Sequence, residues 1–304
     1  MKKVSIVTVN FNHSHVTDEL LDSIAVKNTY ANIEIIVVDN GSVINPIPVW
    51  QQKYPSTIFI RSDINTGFAG GNNIGINAAT GDYLFLVNND TEFTDNLIEK
   101  LVGSLDANPN AAMVSPKICY YDNPTMLQYV GYTEMNYFTG RNNQIGQFET
   151  DNGQYNHLSG KTGFAHGAAM LVTRVATAKV GLMAESFFLY YEELDWCARM
   201  KHAGFDILVN LDAIIYHKES ISVGKQSALK EYFMNRNRIL FERRNATAYQ
   251  FFFFSIYFVI VVLPRNIINY IKQKNSGFIK WLFKAIWWNI TNNVNSHKLG
   301  YPLK

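Results

Sequence analysis

Residues 82–91, DYLFLVNNDT, decide how this 304-residue chain is read. Tyr83–Val87 is an apolar run that ends abruptly in Asn88, Asn89 and Asp90. A short apolar run closed by polar residues predicts a buried strand of a parallel sheet. Ligands of open α/β sheets gather at the carboxyl ends of such strands. One acid and two amides there offer oxygen atoms to a hard cation and to a polar ligand. The same letters also read as a turn and helix cap, with Thr91 or Thr94 capping a helix over Asp95–Leu105.

Upstream, the pattern repeats. Val4–Val9 (VSIVTV) predicts a strand ending in Asn10-Phe11-Asn12, and Ile33–Val38 a second ending in Asp39-Asn40-Gly41-Ser42. Val16, Leu20, Leu21, Ile24 and Ala25 recur at helical spacing between them. A polar helix near Val49–Tyr54 leads to a third strand, Ile58–Arg61. Ser62–Asn73 (SDINTGFAGGNN) reads as a glycine-rich loop before a helix over Ile74–Ala79. Strands alternating with helices at this spacing predict a doubly wound sheet.

Downstream, a helix over Asn96–Leu105 and a strand over Ala112–Val114 complete the first half. Residues 121–160 lose the rhythm and read as loops or a hairpin over the site. A strand follows at Gly167–Thr173, a short helix at Val175–Val180 and a helix at Glu192–Ala203. Ile207–Val209 and Ala213–Tyr216 read as short strands, the second ending at His217.

With 47% hydrophobic and 17% charged residues, the chain suits one large α/β domain, alone or with an appendage. Cys119 and Cys197 make neither a disulfide framework nor a metal-ligand spacing, which points to a reducing compartment. VSIVTV after Met1-Lys2-Lys3 is too short for a signal-peptide core, so the start reads as mature and cytoplasmic. The net charge of +2 hides an asymmetry. Lys225–Lys304 carries thirteen Lys/Arg against two acids, or +11, which leaves −9 on the first 224 residues. An acidic body with a basic, aromatic tail points to an anionic partner, either nucleic acid or a membrane surface.

The tail begins near Ser222, with a helix over Leu229–Arg244. Phe251–Leu263 is a thirteen-residue apolar run closed by Pro264-Arg265, short of the roughly 20 residues a crossing helix needs. Ile279–Ile290 mixes three Trp with two Lys, a composition suited to the membrane interface.

Several residues offer chemistry. Asp39 at a strand end can accept from a ribose hydroxyl or a base imide, or close an Asx-turn with Asn40-Gly41. Asn65–Asn73 is similar to phosphate-cradling loops but lacks the Lys-Ser/Thr of a P-loop, and a tight turn with a helix cap explains it as well. Glu192, Glu193 and Asp195 at a helix start either complement the helix dipole or supply a general base of raised pKa. Glu192 and Asp195 share one helix face, and Glu193 points elsewhere. His217 is either structural or the partner of Asp90 in a cation site.

Together these pieces resemble family 2 glycosyltransferases of the GT-A fold, most of all the bacterial rhamnosyltransferase-type branch. VSIVTVNFN, VVDNGS, NTGFAGGNNIGI, FLVNNDT, GAAMLVTR, FFLYYEELDWCAR and a strand ending in His217 occur in the family's order over residues 3–245. The resemblance implies an α/β, doubly wound (Rossmann-like) mixed sheet over residues 1–222. A helical, membrane-associating extension would follow over 223–304. It implies that Thr8, Asn10 and Asp39 contact the donor nucleoside, with Gly71 and Asn72 under the ribose, phosphates and sugar. Asn88 and Asp90 stand at the family's DXD motif. Asp90 would ligate Mg²⁺ or Mn²⁺, with His217 as second ligand. Glu193 matches the catalytic base, which would deprotonate an acceptor hydroxyl for in-line attack with inversion, while the cation stabilises the leaving diphosphate. Asn88 replaces the first Asp of DXD. Glu193 replaces the usual Asp, which leaves Asp195 and Glu192 as alternatives for the base.

The implied reaction moves L-rhamnose from dTDP-rhamnose to a lipid-linked glycan in O-antigen, capsule or cell-wall assembly. UDP-galactose, UDP-glucose and UDP-N-acetylglucosamine are the alternative donors. The basic, Trp-rich tail would hold the enzyme peripherally on the anionic cytoplasmic face of the bacterial inner membrane, with no nucleic acid as partner. Alternatively the tail helices pack on the domain or on a second copy, giving a homo-oligomer. Two further readings are a nucleotide-binding oxidoreductase and a non-catalytic membrane-docked scaffold. The glycine loop after the third strand and the acid cluster after Tyr191 oppose the first. Asp39, Asp90 and Glu193 oppose the second.

Overall fold

The apolar segments pair into one ten-stranded mixed sheet in a computed structural model that describes residues 1–218 and 227–303. The first half comprises β1 (Val4–Asn10), α1 (Ser14–Lys27), β2 (Ile33–Asn40), α2 (Ile47–Lys53), β3 (Ile58–Ser62), α3 (Gly67–Ala78) and β4 (Tyr83–Val87). β1 lies parallel between β2 and β4, with Val4 opposite both Ile33 and Tyr83. That register brings Asn10 opposite Asp39 at the carboxyl edge. β4 is buried throughout, as a strand covered on both faces must be.

The second half adds β5 (Thr91–Phe93), α4 (Leu97–Ala107), β6 (Ala111–Tyr120), β7 (Leu127–Tyr129), β8 (Gly160–Lys161), β9 (Ala169–Thr173), α5 (Arg174–Val180), α6 (Glu192–His202) and β10 (Asp206–His217). The strand order is β3-β2-β1-β4-β9-β6-β10-β5, with β7 on β6 and β8 on β10. β9 runs antiparallel between β4 and β6, which makes the sheet mixed.

Three expectations are corrected. Thr91 and Thr94 cap no helix: Thr91 opens β5, and α4 starts at Leu97 after a left-handed Asn96 without a side-chain cap. β5 pairs antiparallel with β10, Thr91 opposite His217, so the end of β10 is drawn beside Asp90. The glycine-rich segment is mostly helix, not loop, since α3 already starts at Gly67. Its glycines let the helix lie on the sheet: a Cβ at Gly71 would stand 2.7 Å from Val9 Cγ1. Third, the two short strands near 207–216 are one strand, β10, with a register shift between Asn210 and Ile214.

The C-terminal part comprises α7 (Ala228–Asn245), α8 (Ala248–Tyr257), α9 (Leu263–Lys272) and α10 (Gly277–Thr291). The boundary expected at 222/223 lies outside the described residues. Leu240 and Phe241 of α7 and Trp288 of α10 join the core beneath the sheet. α8 opens with a capping box, Thr247 with Gln250. It continues through a π-helical turn at Phe258–Val262 into α9, so Ala248–Lys272 is one helix of 25 residues. The helix that holds the thirteen-residue run therefore continues past Pro264, and at 25 residues it exceeds the length expected from the run alone. The widened turn accommodates the proline ring at the carbonyl that an α-helix would press against it. By length and composition this helix could cross a membrane; one side of it packs on the protein, and most of its apolar stretch is not buried there. Phe254, Phe258, Val262 and Tyr270 face inward, while Phe252, Val259, Ile260 and Ile271 are exposed.

Candidate functional site

A cleft of about 1330 Å³ opens over the carboxyl edge of β1, β2 and β4. Asn72, Asn88, Asp90, Glu192, Glu193 and His217 line it together. Thr8, Asn10, Asp39, Gly71 and Asp195 lie outside its lining, beneath or behind it.

The pairing of β5 with β10 sets His217 Nε2 3.1 Å from Asp90 Oδ1. On the far side of the ring, Gln128 Oε1 lies 2.8 Å from Nδ1. Oxygen atoms thus face both ring nitrogens of His217. Burial alone would push the Asp90 carboxyl up. The charge and hydrogen bond of His217, with Lys218 nearby, outweigh it and hold the group below its ordinary value. One carboxylate and one imidazole at this separation are donors that could serve as two neighbouring ligands of a divalent ion. Among the described residues no group of three or more His, Cys, Asp and Glu side chains could hold a metal.

Asp39 is fully buried, and its oxygens are already engaged. Asn10 Nδ2 donates to Oδ1 at 2.8 Å, Ser42 Oγ donates to the same oxygen, and Arg61 pairs with Oδ2. The Thr8 hydroxyl is buried without a hydrogen-bond partner. Asn40 ties β2 to the start of α3, donating to Gly67 O at 2.9 Å and accepting from the Thr66 hydroxyl at 2.7 Å.

The acids at the start of α6 have three different fates. Asp195 is fully buried and holds α6 to α7, accepting from Arg199 and Arg244 at 2.8 Å and from Asn245 at 3.0 Å. Glu192 is buried, with Oε2 unpartnered, and burial and the charge of Glu193 push its carboxyl well up. Glu193 is half-buried and faces Gly167, where a Cβ would come within 3.6 Å of its Cγ. Burial raises its pKa, and the backbone N–H groups of Glu193 and Leu194 oppose the shift. β4 and β9 meet beside it, where Asn88 N donates to Ala168 O at 2.9 Å.

The turn that delivers these acids is strained: Phe188, Tyr190 and Tyr191 have φ of 64°, 70° and 74°. Asn237 of α7 holds it, donating to the carbonyls of Phe187, Leu189 and Tyr190 at 2.7–2.9 Å. Arg236, fully buried, donates to Phe187 O at 2.8 Å and to Leu299 O at 3.0 Å. Gly67 must be glycine, because its φ is +74° and a Cβ would lie 2.2 Å from Phe188 O.

The helical reading of Leu229–Arg244 sets Arg236 opposite the apolar face, whereas it is fully buried, and that reading passed over Asn237, buried beside it. Their signal was present: two polar residues on a face that otherwise carries Phe233, Leu240 and Phe241. The C-terminal strap was missed as well. Trp281, Leu299 and Tyr301 line the cleft, and Trp288 Nε1 fixes the strap by donating to Lys298 O at 2.7 Å.

Known proteins resemble this chain in sequence and in fold. A hexosyltransferase of low-salt glycan biosynthesis from Haloferax volcanii is 28% identical over 232 residues, covering 71% of this chain and 70% of that protein. An N-acetylglucosaminyl-diphospho-decaprenol L-rhamnosyltransferase of Mycobacterium tuberculosis is 21% identical over 243 residues, covering 73% and 78%. A Pyrobaculum calidifontis mannosyltransferase solved with GDP-Man and Mn²⁺ superimposes with a TM-score of 0.59 at 13% identity, covering 95% of this chain and 87% of that one. GalNAc-T7 with UDP, GalNAc and Mn²⁺ gives 0.66 at 14% identity, covering 96% and 57%. The fold is thus GT-A. The model of glycosyl transferase family 2 matches residues 5–173, more than half of the sequence, and the chain belongs to that family.

Proposed function

We propose that this glycosyltransferase moves L-rhamnose from dTDP-rhamnose, with inversion, to a lipid-linked glycan destined for surface polysaccharide. The observation that carries the reaction is that Glu193 opens into the same cleft as the Asp90–His217 pair. Rhamnose is supported by the mycobacterial rhamnosyltransferase, whose name also specifies a diphospho-lipid acceptor. The second reading, a UDP-hexose donor, rests on the Haloferax hexosyltransferase.

Asp90 and His217 would hold Mg²⁺ or Mn²⁺. Such an ion, when bound, neutralises the charge that develops on the leaving diphosphate. Glu193 takes the proton of the acceptor hydroxyl, and its raised pKa makes it a stronger base than an exposed glutamate. Gly167 leaves room beside that carboxylate for the reacting sugar. Asn88, Asn72 and the wall of Trp281 and Tyr301 would orient the nucleotide sugar. The exposed apolar side of Ala248–Lys272 would rest in the cytoplasmic leaflet of the inner membrane.

Thermal-shift binding of dTDP, UDP and GDP, each with and without Mn²⁺, tests this reading. A ligand that binds only the folded state raises Tm by mass action. Mn²⁺-dependent stabilisation by dTDP over UDP is expected, and Asp90→Ala should abolish the Mn²⁺ dependence. A preference for UDP discards rhamnose. No response to any nucleotide overturns the transferase site.

A further inference from the structure

Glu193 borders a second, smaller cleft of about 330 Å³ on its other side, which no part of the donor site explains. Tyr132, Arg141, Asn142, Tyr191 and Arg238 form its walls. Two hydrogen-bond donors there, Arg238 Nε and Asn142 Nδ2, are buried and unpartnered. Buried donors without acceptors are rare and costly, and they mark a place where an acceptor is expected. Neither Arg141 nor Arg238 has a carboxylate ion-pair partner among the described residues.

Glu242 is the acid nearest to Arg238. Its two carboxylate oxygens are buried without hydrogen bonds, and burial pushes it up to about 8. It therefore stays largely protonated at neutral pH and does not neutralise Arg238. Arg238 donates one Nη2 hydrogen bond to Thr139 O, and its free Nε, the Asn142 amide and the exposed Arg141 guanidinium together make a site for an anion rich in acceptor oxygens.

The position of this cleft is equally informative. The Arg141 guanidinium lies 5.9 Å from the ring centre of Tyr257, and that of Arg238 lies 5.9 Å from Phe254. Both rings belong to α8 and to its packed side, Phe254 buried and Tyr257 half-buried. The cationic groups thus stand between the base and an apolar helix. A ligand that fills the cleft meets Glu193 and the partly exposed Met234, both of which line it. Phosphate joined to a sugar on one side and hydrocarbon on the other offers a partner to the carboxylate, the cationic groups and this apolar side chain.

We propose that Arg141, Asn142 and Arg238 bind the diphosphate that joins the acceptor glycan to its lipid, and so hold the acceptor hydroxyl at Glu193. This rests on the lipid-linked acceptor proposed above. It adds that the attacked sugar lies close to the diphosphate, because one cleft touches both Glu193 and the arginines.

The test uses the full chain, with farnesyl diphosphate as probe and EDTA present to silence metal-dependent binding in the donor cleft. Calorimetry should detect farnesyl diphosphate, and Arg141→Glu should weaken it at least about tenfold. Asn142→Ala and Arg238→Lys should weaken it less. Farnesol and inorganic pyrophosphate should each bind more weakly than the conjugate. Equal binding by Arg141→Glu and the wild type overturns the proposal. Farnesol binding as tightly as farnesyl diphosphate overturns the phosphate site, and pyrophosphate binding as tightly shows a free-phosphate site instead. The Mn²⁺-dependent nucleotide shift, measured on the same proteins, separates the two readings. Its loss in the wild type defeats the transferase site, whereas its retention beside an unaffected Arg141→Glu defeats only this inference.

Discussion

Glu193 and Asp90 occupy one cleft, yet their environments move them in opposite directions. Burial raises Glu193, while the imidazole of His217 holds Asp90 down. A base must be ionised to act, so the rate should fall as pH drops through the raised pKa of Glu193. The acidic limb of the kcat/KM profile is therefore expected above the ordinary glutamate value of about 4.3. Glu193→Gln should remove that limb and lower kcat by about 10²–10⁴-fold with the nucleotide thermal shift retained. The linkage sign for stability follows. The unfolded chain releases this proton at lower pH than the folded one, so the raised pKa costs stability as pH rises from the unfolded value to the folded one. Glu193→Gln should therefore raise Tm at pH 7.5 relative to the wild type and leave it nearly unchanged well below pH 4. A profile whose acidic limb survives the substitution would assign the base elsewhere.

At the scale of elements, the strands that position the candidate site were legible because short apolar runs closed by polar residues are a local signal. Tyr83–Val87 and Ile33–Val38 announce buried strands and the polar edge they end in. Two things were not legible, and both depend on distant partners. The start of α3 was hidden because glycines normally argue against helix, and only contact with Val9 and Phe188 explains them. Likewise FFLYYEE does not show that its backbone turns left-handed three times, because the stabilising groups come from α7, almost fifty residues on. That turn makes Asn237 a positioning residue. Asn237→Ala leaves three carbonyls without this donor, a loss of about 1–3 kcal/mol for a buried group left unsatisfied. Urea unfolding should show that loss, with kcat lowered and the nucleotide shift maintained. If kcat stays at the wild-type value while stability drops, Asn237 serves the fold alone and the strained turn does not set the position of Glu193.

At the scale of the whole molecule, the basic C-terminal part is at once a wall of the active cleft and an apolar outer surface. α10 and the strap are fixed to α7 through Arg236, Asn289 and Trp288, so a truncation would damage the cleft as well as any membrane contact. The two roles separate only by changing the outer side of Ala248–Lys272. Phe252, Val259, Ile260 and Ile271 are 58–67% exposed and belong to none of the apolar clusters, whereas Phe254, Phe258 and Val262 belong to the inner one. Replacing the four outer residues by Ser removes apolar area without opening a cavity. Each buried apolar side chain of this size contributes about 1.5–3 kcal/mol, so losing four should reduce vesicle binding by several orders of magnitude. Arg265, Lys272 and Lys274 flank that surface and favour anionic lipid. Sedimentation with phosphatidylglycerol-containing vesicles should thus fall in the four-fold variant and, for the wild type, weaken with salt. Tm and the Mn²⁺-dependent nucleotide shift should stay at wild-type values, because no substituted side chain touches the cleft. Unchanged sedimentation of the variant would move the membrane contact to another face. A wild-type chain that never sediments would leave this apolar side to pack against protein, and a mass measurement in solution would then show a second copy covering it.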